Sequence, residues 1–233
     1  MGLITIGIKI PKQNHFNPVK VITLPNTIMT LYSPPFWLKA IYPRELTWNV
    51  RTSQREVFLT FDDGPIPEVT PLVLSILKKY NVKATFFCVG ENVKKYPEIF
   101  EKVLNDGHAV GNHTFHHTKA WKTEYNTYLS EVEQCHQLVK SRLFRPPHGQ
   151  INRKIARKIG KDYQIIMWSV LTVDYDKNLS GEQCLNIAIK HTKPGAIVVF
   201  HDSLKAKERM EYALPLYIEY CLKEGYSFKV LGM

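Results

Sequence analysis

Several signatures of common protein classes are missing from the 233-residue sequence. No apolar run approaches the roughly 20 residues needed to cross a bilayer as a helix. Cysteine is scarce, and Cys88, Cys135, Cys184 and Cys221 lie far apart without a C-x-x-C pair. That spacing is neither a disulfide framework nor a zinc knuckle, so a reducing compartment is the simpler reading. No glycine-rich phosphate loop follows an apolar run, which weighs against nucleotide binding. Acidic side chains are outnumbered, 21 against 31 Lys and Arg, for a formal charge of +10. Such a balance favours anionic partners through long-range steering. The densest basic run, RKIARKIGK (153–161), nevertheless reads as a solvated helix face, because no nucleic-acid-binding motif accompanies it. The apolar start MGLITIGI (1–8) has no basic residue before it and no small-residue cleavage site, so it reads poorly as a secretory signal and a cytoplasmic location is expected. Internal repeats and low-complexity segments are absent as well.

What is present describes a domain with a sizeable core, 44% of the residues being hydrophobic. The first 50 residues stand apart. Pro11, Pro18, Pro25, Pro34, Pro35 and Pro43 exclude a long regular helix there. The aromatics from Tyr32 onward, with Phe36, Trp37, Tyr42 and Trp48, are expected to pack as an apron on the main domain, and Met29 is an alternative start. The expected division is therefore an extension over 1–50 and a main domain over 51–233. From residue 56, short apolar runs alternate with amphipathic stretches, the pattern of an α/β fold around a mainly parallel sheet. Strands are predicted at 56–61, 84–89, 108–112, 143–145, 163–168, 196–201 and 226–231. Helices fit at 68–80, 97–105, 125–141, 151–160, 181–191 and 207–223. Seven strands so arranged either close as a barrel or lie open as a doubly wound sheet.

Chemically capable residues fall at the ends of these strands. Asp62 and Asp63 follow the first, His113 and His117 the third, Arg145 closes the fourth, Asp174 lies beyond the fifth, and His201 ends the sixth. In an α/β barrel these ends share the face that carries active sites. In HTFHH (113–117), the four-residue spacing lets both imidazoles converge if the segment turns helically. A carboxylate would complete the three-ligand pattern of a catalytic zinc site. The blander alternatives are a surface histidine cluster and, for TFDDGP (60–65), an ordinary turn. Adjacent carboxylates repel each other unless a cation holds one of them. A metal on Asp63 would do so, leaving Asp62 free to take a proton from water.

TFDDGP, HTFHH, RPPHG (145–149), DY (174–175) and VFH (199–201), in this order and with the surrounding KATFFCVG and GHAVGNHT, resemble the motifs of the polysaccharide deacetylases. These are the NodB-homology domains of carbohydrate esterase family 4, and the resemblance covers about residues 56–233. It implies a distorted (β/α) barrel and metal-dependent removal of acetyl from N-acetylated, sometimes O-acetylated, sugars. By position, Asp62 matches the general base, and Asp63, His113 and His117 match the ligands of one divalent metal. Zinc comes first for that ion, and cobalt, nickel and manganese are compatible with the same ligands. Arg145 matches the arginine that orients the base. His201 matches the acid that protonates the leaving amine, and Asp174 the partner that raises its pKa and fixes its tautomer. Tyr175 and Val199 match the pocket for the acetyl methyl, Pro147 and His148 of RPPHG join them in contacting substrate, and His148 would offer its N–H to the oxyanion.

The chain departs from the family at Leu171, where many relatives have aspartate, at His148, where most have tyrosine or phenylalanine, and at Tyr175, where tryptophan is commoner. These positions bear on substrate choice. The expected partner is an N-acetylated glycan: a chitooligosaccharide, a peptidoglycan fragment or a glycolipid precursor. A deformylase or other C–N amide hydrolase and an idle carbohydrate-binding domain are the alternatives. The complete set of base, ligands and acid argues against the last.

Overall fold

The structure, a computed structural model, describes residues 32–34 and 42–232. The expectations for residues 1–31 and 35–41, including Met29, Phe36 and Trp37, lie outside the described residues. Nine strands are present among the described residues: β1 (Leu46–Thr47), β2 (Glu56–Asp62), β3 (Thr85–Cys88), β4 (Ala109–Asn112), β5 (Leu143–Phe144), β6 (Gln164–Ile166), β7 (Val170–Leu171), β8 (Ala196–His201) and β9 (Ser227–Phe228). They form one sheet in the order β1-β6-β5-β4-β3-β2-β8-β7, with β9 also on β2, and every strand pair is parallel. This is the distorted α/β barrel that the motifs imply.

Two of the two-residue strands escape the sequence pattern. Leu46–Thr47 extends the sheet beside β6. Val170–Leu171 pairs with β8 once the chain has left β6 at Met167 and Trp168. The helices are α1 (Thr70–Lys79), α2 (Gly90–Lys95), α3 (Pro97–Asn105), α4 (Tyr125–Val139), α5 (Arg153–Ile159), α6 (Gly181–His191) and α7 (Lys207–Lys223). Their starts follow from local chemistry. Ser180 and Gln183 form a reciprocal capping box on α6, and the Asn152 side chain accepts from Ile155 N–H to open α5. The six-residue α2 is too short to show a helical period and was not expected.

Strand β2 explains the layering. Its side chains are buried on both faces, as expected of a parallel sheet covered by helices. Leu59 and Phe61 point toward the helical layer, where Phe61 stacks on Phe86 at 5.0 Å and approaches Phe200. Phe58 points the other way, into a small cluster with Phe87, Leu143, Ile166, Ile197 and Leu231. That inner cluster draws on five strands and fills the barrel, so the bottom is packed and chemistry is confined to the rim. Because the strands are parallel, all their C-terminal ends open on that rim. All four cysteines are buried and free. No helix among the described residues is long and apolar enough to cross a membrane.

Candidate active site

The rim gathers the predicted residues one strand at a time. Asp62 is the last residue of β2, opposite His201 at the end of β8. Period-two alternation would send Asp63 to the opposite face of the sheet from Asp62. It does not, because Asp63 adopts φ +87°, a left-handed conformation in which the chain turns out of the strand. Its carbonyl is held by Asn92 Nδ2 at 2.8 Å.

Asp63 Oδ1 then lies 3.3 Å from His117 Nε2 and 3.9 Å from His113 Nε2. The ligand atoms of these three residues fall within 4.8 Å of one another. The histidines converge by another route than the expected helical turn. The segment after β4 is irregular, with Thr114 at φ +63° and His117 at φ +55°. Buried Asn112 organises it, its Oδ1 accepting from Thr114 N–H at 2.9 Å and its Nδ2 donating to the Val132 carbonyl at 2.8 Å. Farther along, Glu131 accepts from His116 N–H, His116 Nδ1 and the Thr118 hydroxyl, which turns His116 away from the cluster. Asn112→Ala would strand the Thr114 N–H and remove the second bond to the helical Val132 carbonyl, at an expected cost of about 1–3 kcal/mol in urea unfolding.

His113 is fully enclosed, and its Nδ1 is 2.8 Å from the Arg145 carbonyl. A carbonyl only accepts, so Nδ1 carries the proton and Nε2 presents its lone pair to Asp63 and His117. Burial, reinforced by the neighbouring His117, drives His113 well below 6.5 and keeps it neutral. Two imidazoles and one carboxylate are a donor set that suits a first-row divalent ion.

Arg145, fully buried just past β5, donates from Nη1 to Asp62 Oδ1 at 2.6 Å and to Thr60 Oγ1 at 2.8 Å. Nη2 donates to the Met167 carbonyl, and the guanidinium lies 4.1 Å over the Phe87 ring, the top of the inner barrel cluster. With so many partners the guanidinium has one available position, and it fixes that of Asp62.

On the other side of the rim, Asp174 clasps His201 twice. Oδ2 accepts from His201 N–H at 2.8 Å and Oδ1 meets Nδ1 at 2.7 Å. Burial alone would lower the imidazole's pKa, but the charge and hydrogen bond of Asp174, with help from Asp63 and Asp62, raise it to about 9. Asp174 is held through its carbonyl by Arg209 Nε of α7 at 2.6 Å.

The remaining predicted residues line the same opening. The His148 ring lies 4.6 Å from that of His117, and burial pushes it down to about 4. Tyr175 stands edge-on to His201 at 4.9 Å and is partly exposed. Val199 packs with Leu171 and Val173, while Pro147 is buried in the turn that carries His148. Five of the seven left-handed non-glycine residues among the described ones, Asp63, Thr114, His117, His148 and Val173, belong to this rim. Such strained backbone collects at functional sites, where the surroundings must hold it in place. The sequence reading gave no role to the supports Asn112, Glu131, Thr60, Asn92 and Asp202, although Thr60 and Asn112 stand within TFDDGP and GHAVGNHT and Asp202 follows His201 directly.

A family model of polysaccharide deacetylases matches residues 49–167. A peptidoglycan-N-acetylglucosamine deacetylase of Bacillus cereus is 36% identical over 192 residues, 78% of this chain and 89% of the relative. A second from the same organism is 35% identical over 158 residues, where the chain spans 57% of the relative's length. A chitooligosaccharide deacetylase of Azorhizobium caulinodans is 33% identical over 69% of this chain and 80% of its own. A solved peptidoglycan N-acetylglucosamine deacetylase bound to a naphthalenyl-N-oxidanyl-benzamide superposes with a TM-score of 0.78 at 31% identity, covering 85% of this chain and 95% of that one.

Proposed function

The chain belongs to the polysaccharide deacetylase family, and from that premise we propose that it is a metal-dependent hydrolase removing acetyl groups from the N-acetylglucosamine units of a glycan of the peptidoglycan or chitooligosaccharide type. The observation that carries this reading is one rim with two distinct halves. Asp62, pinned by Arg145, adjoins the Asp63, His113 and His117 cluster, and His201, clasped by Asp174, faces them from the neighbouring strand.

Asp63, His113 and His117 would hold the ion. When bound, a divalent ion supplies a Lewis acid and lowers the pKa of a water toward neutrality. Asp62 takes the proton of the attacking water, its second oxygen having no hydrogen-bond partner among the described residues while Oδ1 stays on Arg145. His201 donates a proton to the departing nitrogen, without which an amine is a poor leaving group. Its Nδ1 is engaged by Asp174, so the proton leaves from Nε2. Val199 and Tyr175 would enclose the acetyl methyl, and the His148 N–H would meet the carbonyl oxygen as it gains charge. Leu171 and His148 then set which sugars fit.

The test is acetate release by the metal-loaded protein from N-acetylglucosamine oligomers and peptidoglycan fragments. Release that depends on metal supports the reading. Bound metal without acetate from any glycan overturns the substrate class and turns the search to formyl and other amides.

A pH profile follows from His201. Its pKa is raised to about 9 from 6.5, so the protonated form is favoured in the fold. The stability this confers is complete below 6.5 and lost as pH rises through 9. Activity needs the same proton and falls in the same direction. A cation on Asp63 offsets part of the raising charge, so the alkaline limb of kcat is expected between 6.5 and about 9. Asp174→Asn should move that limb to lower pH, and a limb that stays put would remove His201 as the acid.

A further inference from the structure

Asp202 has no part in this scheme, yet its carboxylate is 1% exposed and fully engaged. Oδ1 accepts from Gly64 N–H at 3.0 Å, and Oδ2 accepts from the Thr70 hydroxyl at 2.6 Å. Thr70 Oγ1 accepts in turn from Ile66 N–H at 2.8 Å, and the N–H of Asp202 donates to the Asp62 carbonyl at 3.1 Å. The ladder between β2 and β8 ends at the pair Asp62 and His201. Beyond it, the Asp63 carbonyl is held by Asn92 and the Gly64 carbonyl by Val89 N–H, both on the β3 side, and the Asp202 carboxylate supplies the side-chain bond that ties this loop to the β8 side. A Cβ on Gly64 would come within 1.9 Å of Asp202 Oδ2, so this approach needs glycine at 64.

We propose that Asp202 is a positioning residue that registers the acid half of the site against the base and metal half. It follows His201 directly, and its side chain and N–H fix the residues on either side of Asp63. Removing it frees the loop to move relative to His201 while every reacting group remains present. The inference rests on the functional reading above for what those groups do, and on the hydrogen bonds alone for what Asp202 holds.

The experiment compares Asp202→Ala, Asp202→Asn, Thr70→Val and Thr70→Ser with the wild type in zinc titration calorimetry and steady-state kinetics, well below each melting temperature. Val139→Ala, a buried substitution in α4 away from the rim, serves as a control of matched stability. Asp202→Ala is expected to weaken zinc about 10- to 100-fold and to lower kcat about 100-fold with little change in KM. Asn at 202 and Ser at 70, which keep part of the bonding, should recover most of both, and the control should lose neither. Wild-type zinc affinity and kcat in Asp202→Ala would overturn the proposal, as would equal losses in the control. If Asp202→Ala fails to fold, Thr70→Val, which loses the hydroxyl's bonds to Asp202 and to Ile66 N–H but leaves the carboxylate on Gly64 N–H, decides the matter by the same two readings. Zinc titration needs no substrate, so a wild-type protein that releases no acetate would overturn the functional reading and leave this one still to be judged.

Discussion

Asp62→Asn should lower kcat by about 10²–10⁴ while leaving the metal cluster able to bind one ion per chain. The amide keeps an oxygen for Arg145 but cannot take a proton from water, and Asp63, His113 and His117 are untouched. Stability should fall as well. Arg145 is fully buried, and Asp62 is the only carboxylate paired with it among the described residues, so neutralising Asp62 leaves an uncompensated interior cation. Such losses cost about 3–5 kcal/mol. Kinetics, metal content and urea unfolding on one preparation separate the two effects. A folded, metal-loaded Asp62→Asn protein with wild-type kcat would remove Asp62 as the base and would favour His201 or an outside group in that role.

The neighbouring substitution should fail in the opposite way. Asp63→Asn is expected to weaken metal binding about 100-fold or more, since the variant loses the one negative charge in a donor set otherwise made of two imidazoles. Asparagine is the informative replacement because the position sits at φ +87°, which Asn tolerates and most residues do not. A loss of affinity is therefore a loss of charge rather than of backbone shape. Activity should fall with it and partly return when metal is supplied in excess. Unchanged affinity would move the metal elsewhere or remove it from the scheme. Read together, the two variants test whether the adjacent carboxylates divide their work as proposed, one on the arginine and water and the other on the ion; the left-handed conformation of Asp63 lets both face one opening.

Sequence alone determined the order of the longer elements and which candidate site residues stand at strand ends. The long strands are continuous apolar runs, the helices carry amphipathic periods, and Asp62, Asp63, His113, Arg145, Asp174 and His201 stand at strand ends, so a parallel sheet must bring them to one rim. These are local patterns, readable a few residues at a time. Elements shorter than a period, such as Leu46–Thr47, Val170–Leu171 and Gly90–Lys95, left no such pattern. How the side chains meet was decided only in three dimensions. His113 and His117 converge through left-handed residues held by Asn112, not through a helical turn. Asp62 is aimed by a guanidinium 83 residues away, and the loop around Asp63 by a carboxylate 138 residues away. Conformations that break strand and helix periods are unfavourable on their own, and they persist here because buried partners from distant strands supply the hydrogen bonds that local structure does not.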